Sequence, residues 1–318
     1  MKRVVVTGSG GQIGSELVPH LRRLYGAERV LATDLRPASG PLAEGGPFAC
    51  LDVRDGEAFS ALVRHFRADT VLHLAGLLSA RGEKDVALAW DVNVNGSATA
   101  LEVARQEGTA FFFPSSIAAF GPSTPKKETP QETLQRPTTI YGVGKVALEL
   151  LCDYYHLKFG VDTRGLRFPG LISHETQPGG GTTDYAVHIY YEAVRKGNYT
   201  SFIAPGTFMD MMYMADALDA VVGLMEADPA RLVHRNAFNI SAMSVDPEAI
   251  ASAIGKVIPG FTIAYDVDPL RQAIAESWPD SLDCSAARKE WDFAPRYDLE
   301  TMTREMLDRI ASKGGRAA

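Results

Sequence analysis

The chain has 318 residues, 46% of them hydrophobic and 22% charged, with 32 Lys and Arg against 39 Asp and Glu for a formal net charge of −7. This composition excludes a largely disordered or collagen-like chain, and no apolar run approaches the ~20 residues of a membrane-spanning helix. An acidic balance without a basic stripe also argues against nucleic acid as a partner. In chain order, Arg3–Thr7 (RVVVT) predicts a strand, Gly14–Leu24 a helix, and Arg29–Thr33 a strand; a third strand follows just before Asp52. Glu57–Arg67 predicts a helix, Thr70–Leu74 a strand, the region near Ala89–Gln106 a helix, Ala110–Phe113 a strand, Tyr141–Phe159 a long helix and Asp162–Leu166 a strand. Short β-branched runs alternating with helical periodicity imply a parallel sheet covered on both faces.

Beyond Pro169 the character changes. Gly and Pro cluster in Gln177–Gly181, strands become scarce, and helices near Thr183–Lys196, Met214–Ala227, Asp246–Val257 and Leu299–Ser312 dominate. Asn236–Ile240 (NAFNI) reads as a returning strand. The expected fold is therefore α/β: a Rossmann-type doubly wound parallel sheet over residues 1–168, completed by segments near 211–227 and 236–241. A smaller, mostly helical substrate domain over residues 169–318 is interleaved with it. The tail, SKGGRAA, is expected to fray.

The N-terminal apolar run is shorter than the ~7–15 residues of a secretory leader's core. Cys50, Cys152 and Cys284 are scattered and odd in number, which fits free thiols in the cytoplasm rather than a disulfide framework. The seven histidines show no short-range ligand spacing, so no metal is expected.

Gly8, Gly11 and Gly14 form G-x-x-G-x-x-G between the first strand and the first helix, with Gln12 and Ile13 at the helix start. Glycines there let a pyrophosphate approach the backbone, where unpaired N–H groups and about +0.5 charge face it. The competing reading is a tight turn and close helix packing, which the strand–glycine–helix context disfavours. Asp34 ends the second strand, 20 residues after Gly14. A carboxylate there accepts both ribose hydroxyls and repels a 2′-phosphate, favouring NAD over NADP, although Arg36 nearby suits the phosphate. Asp52 is placed to meet the adenine edge or, equally, to cap a helix.

Tyr141 and Lys145 stand at Y-x-x-x-K, one helical turn apart and on one face. A phenol of pKa about 10 is a poor base near neutrality, but a neighbouring ammonium together with a positive nicotinamide ring stabilises the phenolate. The pair suits proton abstraction from an alcohol. Ser115 and Ser116 follow the AFFF strand at the end where ligands bind in such sheets, and either hydroxyl can hold the substrate oxygen.

These residues, with HLAG at His73–Gly76, Asn93-Val-Asn-Gly and Ser115–Gly121 (SSIAAFG), resemble the extended branch of the short-chain dehydrogenase/reductase family. The resemblance implies Ser116 rather than Ser115 as the catalytic serine, Tyr141 as general base, Lys145 as ribose-binding and tyrosine-tuning, and Asn93 as part of a proton-relay framework. It also implies dinucleotide contacts from Leu74, Ala75, Gly76, Asn93 and Pro169. In the second half, Leu166–Ser173, Pro178–Ala193, Met211–Leu218, Asp268–Pro279 and Ala287–Phe293 are similar to the threonine-oxidising group of that family. That likeness implies NAD-dependent oxidation of L-threonine at its β-hydroxyl to L-2-amino-3-oxobutanoate, without zinc.

Ser79, Thr182, Thr183, Asp184 and Trp278 are the expected substrate contacts. Thr or Asp before an apolar helix is also a common N-cap, and Trp278 is equally at home in a core. Arg271 and Tyr213 are expected to be structural. Gly144, inside the Tyr141–Lys145 turn, departs from helical preference by about 1 kcal/mol against alanine. Two other functions compete: a nucleotide-sugar epimerase or dehydratase, which needs cationic clamps for a diphosphate, and a cofactor-binding sensor, which has no use for an intact Ser–Tyr–Lys set. Apolar residues on more than one face of the helices near Asp91–Gln106 and Tyr141–Phe159 imply a homodimer through a four-helix contact.

Overall fold

The computed structural model describes residues 1–175 and 179–314. Its strands are β1 (Val4–Thr7), β2 (Val30–Asp34), β3 (Phe48–Cys50), β4 (Thr70–His73), β5 (Ala110–Ser116), β6 (Thr163–Phe168), β7 (Gly170–Ile172), β8 (Asn198–Ser201), β9 (Met209–Tyr213), β10 (Phe238–Asn239), β11 (Met243–Val245) and β12 (Thr262–Tyr265). Seven of them form one sheet in the order β10-β6-β5-β4-β1-β2-β3, with every pairing parallel. β1 is buried along its whole length. Val4 and Val6 face one core with Leu17, Val18 and Leu21 of the first helix, Gln12–Tyr25. Val5 faces a second core with Phe59, Val63, Leu101 and Leu148. Strands with no wet face read as continuous apolar runs, and helices on both sides cover them. The chain reverses direction across the sheet between β1 and β4, and this opens a crevice at the carboxyl ends of the strands.

The doubly wound α/β architecture is as expected from the sequence. β5 runs three residues further than expected, through Ser116, and β6 spans Thr163–Phe168. The helix expected near Ala89–Gln106 is three joined pieces: Val86–Trp90, a π-turn over Asp91–Asn95, and Gly96–Glu107. π-turns disrupt the 3.6-residue ladder locally and commonly accompany functional sites. The long helix Ile140–Phe159 is capped by the Thr139 hydroxyl, which accepts from Gly142 N at 3.1 Å, and ends on left-handed Gly160.

The second half departs from expectation, because strands are not scarce there. β7, β9 and β11 form a three-stranded sheet, and β8 pairs with β12. These strands are short, and β9 (MDMMY) is buried throughout, so it offers no alternation to read. β10 joins the central sheet beside β6. In the segment 211–227, the strand portion belongs to the three-stranded sheet, while the helix Met214–Glu226 packs against β6 and the first helix. Helices Pro269–Glu276 and Ser285–Trp291 were not anticipated; the first is capped by Asp268, which accepts from Leu270 N at 2.9 Å. Gln177 and Pro178 of the glycine–proline cluster, and the last four residues of the tail, lie outside the described residues. Among the described residues no helix is long and apolar enough to cross a membrane.

Candidate active site

The first helix starts at Gln12 with Gly11 as N-cap; no side chain caps it and no acidic residue stands in its first turn. Its leading N–H groups therefore have no partner within the helix and carry the positive end of its dipole. Gly8 is left-handed (φ +65°), and a Cβ there would stand 2.6 Å from Ala75 N. A Cβ on Gly14 would collide with Gly8 O and Ser9 Cα. β1, β4 and the helix start thus close on one another so tightly that only glycine fits. The result is an open, electropositive cradle at the switch point. Its donor set suits a pyrophosphate, so these residues fit a dinucleotide.

Asp34 ends β2 beside this loop, accepting from Gly10 N at 3.0 Å, with Arg36 N at 3.4 Å from its other oxygen. Asp52 is engaged elsewhere: Arg54 donates to its carboxylate (Nη2–Oδ2 2.7 Å) and reaches Asp91 at 2.8 Å. These ion pairs hold both carboxyls below their usual range, chiefly through hydrogen bonds from Arg54.

Outside the strand ends lies a cavity of about 410 Å³. Its walls bring together Gly8, Gly11, Gln12, Ile13, Gly14, Leu74, Ala75, Gly76, Asn93, Pro169, Ser79, Ser116, Tyr141, Lys145, Thr182, Thr183, Asp184 and Trp278. Of the expected cofactor, substrate and catalytic residues, Asp34 and Asp52 are the two outside this lining. Both serines line it, but they are committed differently. The Ser115 hydroxyl is buried and donates to Glu149, while Ser116 Oγ accepts from Ala118 N at 3.2 Å and faces the Tyr141 phenol. Burial pushes the phenol up to about 12, and its hydrogen bond with Ser116 works against that rise. Lys145 Nζ donates to Pro114 O at 2.5 Å and lies 4.6 Å from the Phe113 ring centroid. Burial brings this amine down to about 8, with Glu149 pulling it back up. Burial is the largest influence on the Tyr141 phenol, ahead of its hydrogen bond with Ser116.

Gly144 has a local reason. A Cβ there would stand 3.2 Å from Val94 Cγ2, so the glycine lets the long helix approach the π-turn. Asn93 spends one acceptor and one donor site on the loop after β4: Oδ1 accepts from Leu77 N at 2.7 Å and Nδ2 donates to Leu77 O at 3.0 Å. Its amide therefore holds the loop after β4 in place. Asp184 is likewise a loop cap, accepting from Gly180 N at 2.7 Å and Gly181 N at 2.6 Å. Trp278 is 6% exposed, both a wall of the cavity and part of the main core. Lys126 anchors its backbone, donating to Trp278 O at 2.9 Å.

Arg81 and His73 also line the cavity and had no role assigned from sequence. Arg81 is an exposed cation at the rim. His73 is buried between Thr7 Oγ1 (2.9 Å) and Ser97 Oγ (3.0 Å). Ser97 donates to Asn93 O at 2.6 Å, so His73 must donate to Ser97 and accept from Thr7. Burial, then Lys145, takes His73 down to about 3, so it stays neutral. The His73–Gly76 motif was the available signal, but its histidine had no assigned task. Among the described residues no three His, Cys, Asp or Glu side chains gather as a metal site.

Residues 4–241 match the model of the NAD dependent epimerase/dehydratase family. An uncharacterized epimerase/dehydratase of Staphylococcus haemolyticus is 60% identical over 98% of this chain and 99% of its own. Among solved structures, the L-threonine dehydrogenase of Clostridium difficile is 57% identical with a TM-score of 0.98, covering 99% of both chains. That of Phytophthora infestans is 47% identical with a TM-score of 0.94, covering 98% of this chain and all of the other.

Proposed function

The chain belongs to the NAD dependent epimerase/dehydratase family, and from that premise we propose that it oxidises L-threonine at the β-hydroxyl to L-2-amino-3-oxobutanoate with NAD and no metal. One observation carries this reading: Ser116, Tyr141 and Lys145 converge on a single cavity that also holds the open N-terminus of the first helix. The glycine cradle would hold the pyrophosphate and Asp34 the adenosine ribose, with Leu74–Gly76, Asn93 and Pro169 along the remaining length. Asp52 would meet the adenine edge through its Arg54-braced carboxylate. NAD bound there accepts hydride and brings a positive ring that favours the phenolate.

The protein residues supply the rest. Ser116 orients the substrate hydroxyl, the Lys145 ammonium stabilises the Tyr141 phenolate, and that phenolate takes the hydroxyl proton as hydride leaves the β-carbon. Asn93 and His73 fix the loop after β4 on which Leu74–Gly76 stand. Thr182 and Thr183, with Ser79, offer hydroxyls to the substrate carboxylate. Asp184 keeps their loop in shape and faces the substrate ammonium with the remainder of its charge. Trp278 covers the methyl group. Such a cavity suits a small zwitterion; Arg81 is the one cation at its rim among the described residues, fewer than a sugar diphosphate calls for.

Two further features belong to the same reading. Leu150, Tyr154 and Leu157 make an exposed apolar stripe on the long helix, and its partner is a second copy of this chain. The free thiols of Cys50, Cys152 and Cys284 support a cytoplasmic location as part of this reading. The direct assay supplies L-threonine with NAD and follows NADH with and without EDTA, and separately supplies a nucleotide sugar and follows its conversion by chromatography, since epimerases and dehydratases regenerate NAD within each turnover. Turnover of threonine, insensitive to EDTA, supports the proposal; turnover of the nucleotide sugar alone refutes it.

A further inference from the structure

Glu149 lies one helical turn beyond Lys145 on the Ile140–Phe159 helix and is 4% exposed. A carboxylate so buried needs partners, and it has four donor groups from three other segments. Arg167 of β6, itself 6% exposed, makes a two-pronged pair with it (Nε–Oε1 3.0 Å, Nη2–Oε2 2.8 Å). Ser115, at the end of β5, donates its hydroxyl to Oε1, and Gln135 donates to Oε2 at 2.8 Å. Arg167 continues to Gln131 O (2.8 Å) and Asn239 Oδ1 (3.1 Å). One carboxylate thus ties the strand end that presents Ser116, the helix that presents Tyr141 and Lys145, and the strand that leads into Pro169.

Resting on the function proposed above, we infer that Glu149 is a positioning residue for the oxidation: it bolts Ser116 to the Tyr141–Lys145 helix and sets negative charge one turn from the ammonium. It touches neither the substrate nor the dinucleotide cradle, so its effect passes through Ser115 and Lys145. The charged and titratable groups around this pair are Arg167 from β6, His73 from β4, and Tyr141, Cys152 and Asp153 from the helix itself. Arg167 is the cation paired with Glu149, so removing either partner changes the field at Lys145 and Tyr141 in opposite senses.

The test compares wild type, Glu149→Gln, Arg167→Met and Ser115→Ala as full chains. It records NAD affinity, kcat, the pH profile of kcat/KM, and the ultraviolet titration of the Tyr141 phenol in the NAD complex. Glu149→Gln should bind NAD within about twofold of wild type, lose about tenfold in kcat through misplacement, and move both limbs of the profile to lower pH by about half a unit or more. Arg167→Met should move them to higher pH. Ser115→Ala, which leaves the ion pair intact, should lower kcat with the limbs in place. Unmoved limbs in Glu149→Gln, or shifts of one sign in both charge variants, overturn the inference. If Glu149→Gln does not fold, Arg167→Met and Ser115→Ala decide: an unmoved profile in the first, or unchanged kcat in the second, overturns it. If wild type does not oxidise threonine, the functional reading fails by itself, and the phenol titration still reports whether Glu149 and Arg167 act on Tyr141 in opposite directions.

Discussion

The Nζ of Lys145 lies 5.1 Å from the centroid of the Tyr141 ring. An ammonium at that distance favours the phenolate electrostatically, while burial, against the hydrogen bond with Ser116, pushes the phenol up to about 12. Further positive charge brought into the cavity would shift the balance toward the phenolate. Tyr141→Phe should abolish threonine oxidation while NAD binding stays within about twofold, since the cradle of Gly8 and Gly14 is untouched. Residual turnover above about one hundredth of wild type would remove Tyr141 from its role.

How far the sequence carried differs residue by residue. The glycine loop and Tyr141-x-x-x-Lys145 were legible because local spacing fixes which groups share a turn or a helix face. Ser115 and Ser116 were not separable from the residues themselves, because neighbours on a strand point to opposite faces and nothing local says which is which. The structure resolves them through Glu149, which takes Ser115. On its own residues the Asp184 segment favoured a cap over a ligand, and its carboxylate accepts from Gly180 N and Gly181 N. The Glu149–Arg167 pair joins a helix to a strand across the fold, and no periodicity announces such a contact.

The two serines make a second prediction. Ser116→Ala should lower kcat by about tenfold to a hundredfold, because its hydroxyl faces the reacting phenol. Ser115→Ala should cost only a few-fold. The reverse order, measured at saturating NAD and threonine, would reassign the catalytic serine.

Asp34 governs dinucleotide choice in this account. Its carboxylate accepts from Gly10 N at 3.0 Å, so Asp34→Ala removes both a loop contact and the charge that repels a 2′-phosphate. The ratio of kcat/KM for NAD over NADP should fall by about tenfold or more. An unchanged ratio would free Asp34 of this role.

Asp210 gives a stability prediction. It is 3% exposed, accepts from Leu282 N at 2.6 Å, and burial raises it to about 7. A folded value above the unfolded value of 3.8 means the folded state retains a proton that the unfolded state releases. This stabilisation is complete below about pH 4 and is lost as pH rises through 7, about 4 kcal/mol at most. Asp210→Asn, which keeps an acceptor for Leu282 N, should raise the Tm relative to wild type more at pH 8 than at pH 5. An equal difference at both pH values would show that this carboxyl does not titrate late.

The proposed self-association would use the long helix. Leu157 is 83% exposed and continues the stripe of Leu150 and Tyr154. Wild type should sediment at twice the chain mass, and Leu150→Lys with Leu157→Lys at the chain mass. Monomeric wild type, or a dimer undisturbed by the two lysines, would place the interface elsewhere or remove it.

The reaction itself is tested most directly by isotope. L-threonine carrying deuterium at its β-carbon should, with this protein and NAD, yield reduced NAD heavier by one mass unit, together with slowed turnover if hydride transfer limits the rate. Reduced NAD without the label, or no reduction of NAD at all, would contradict the account.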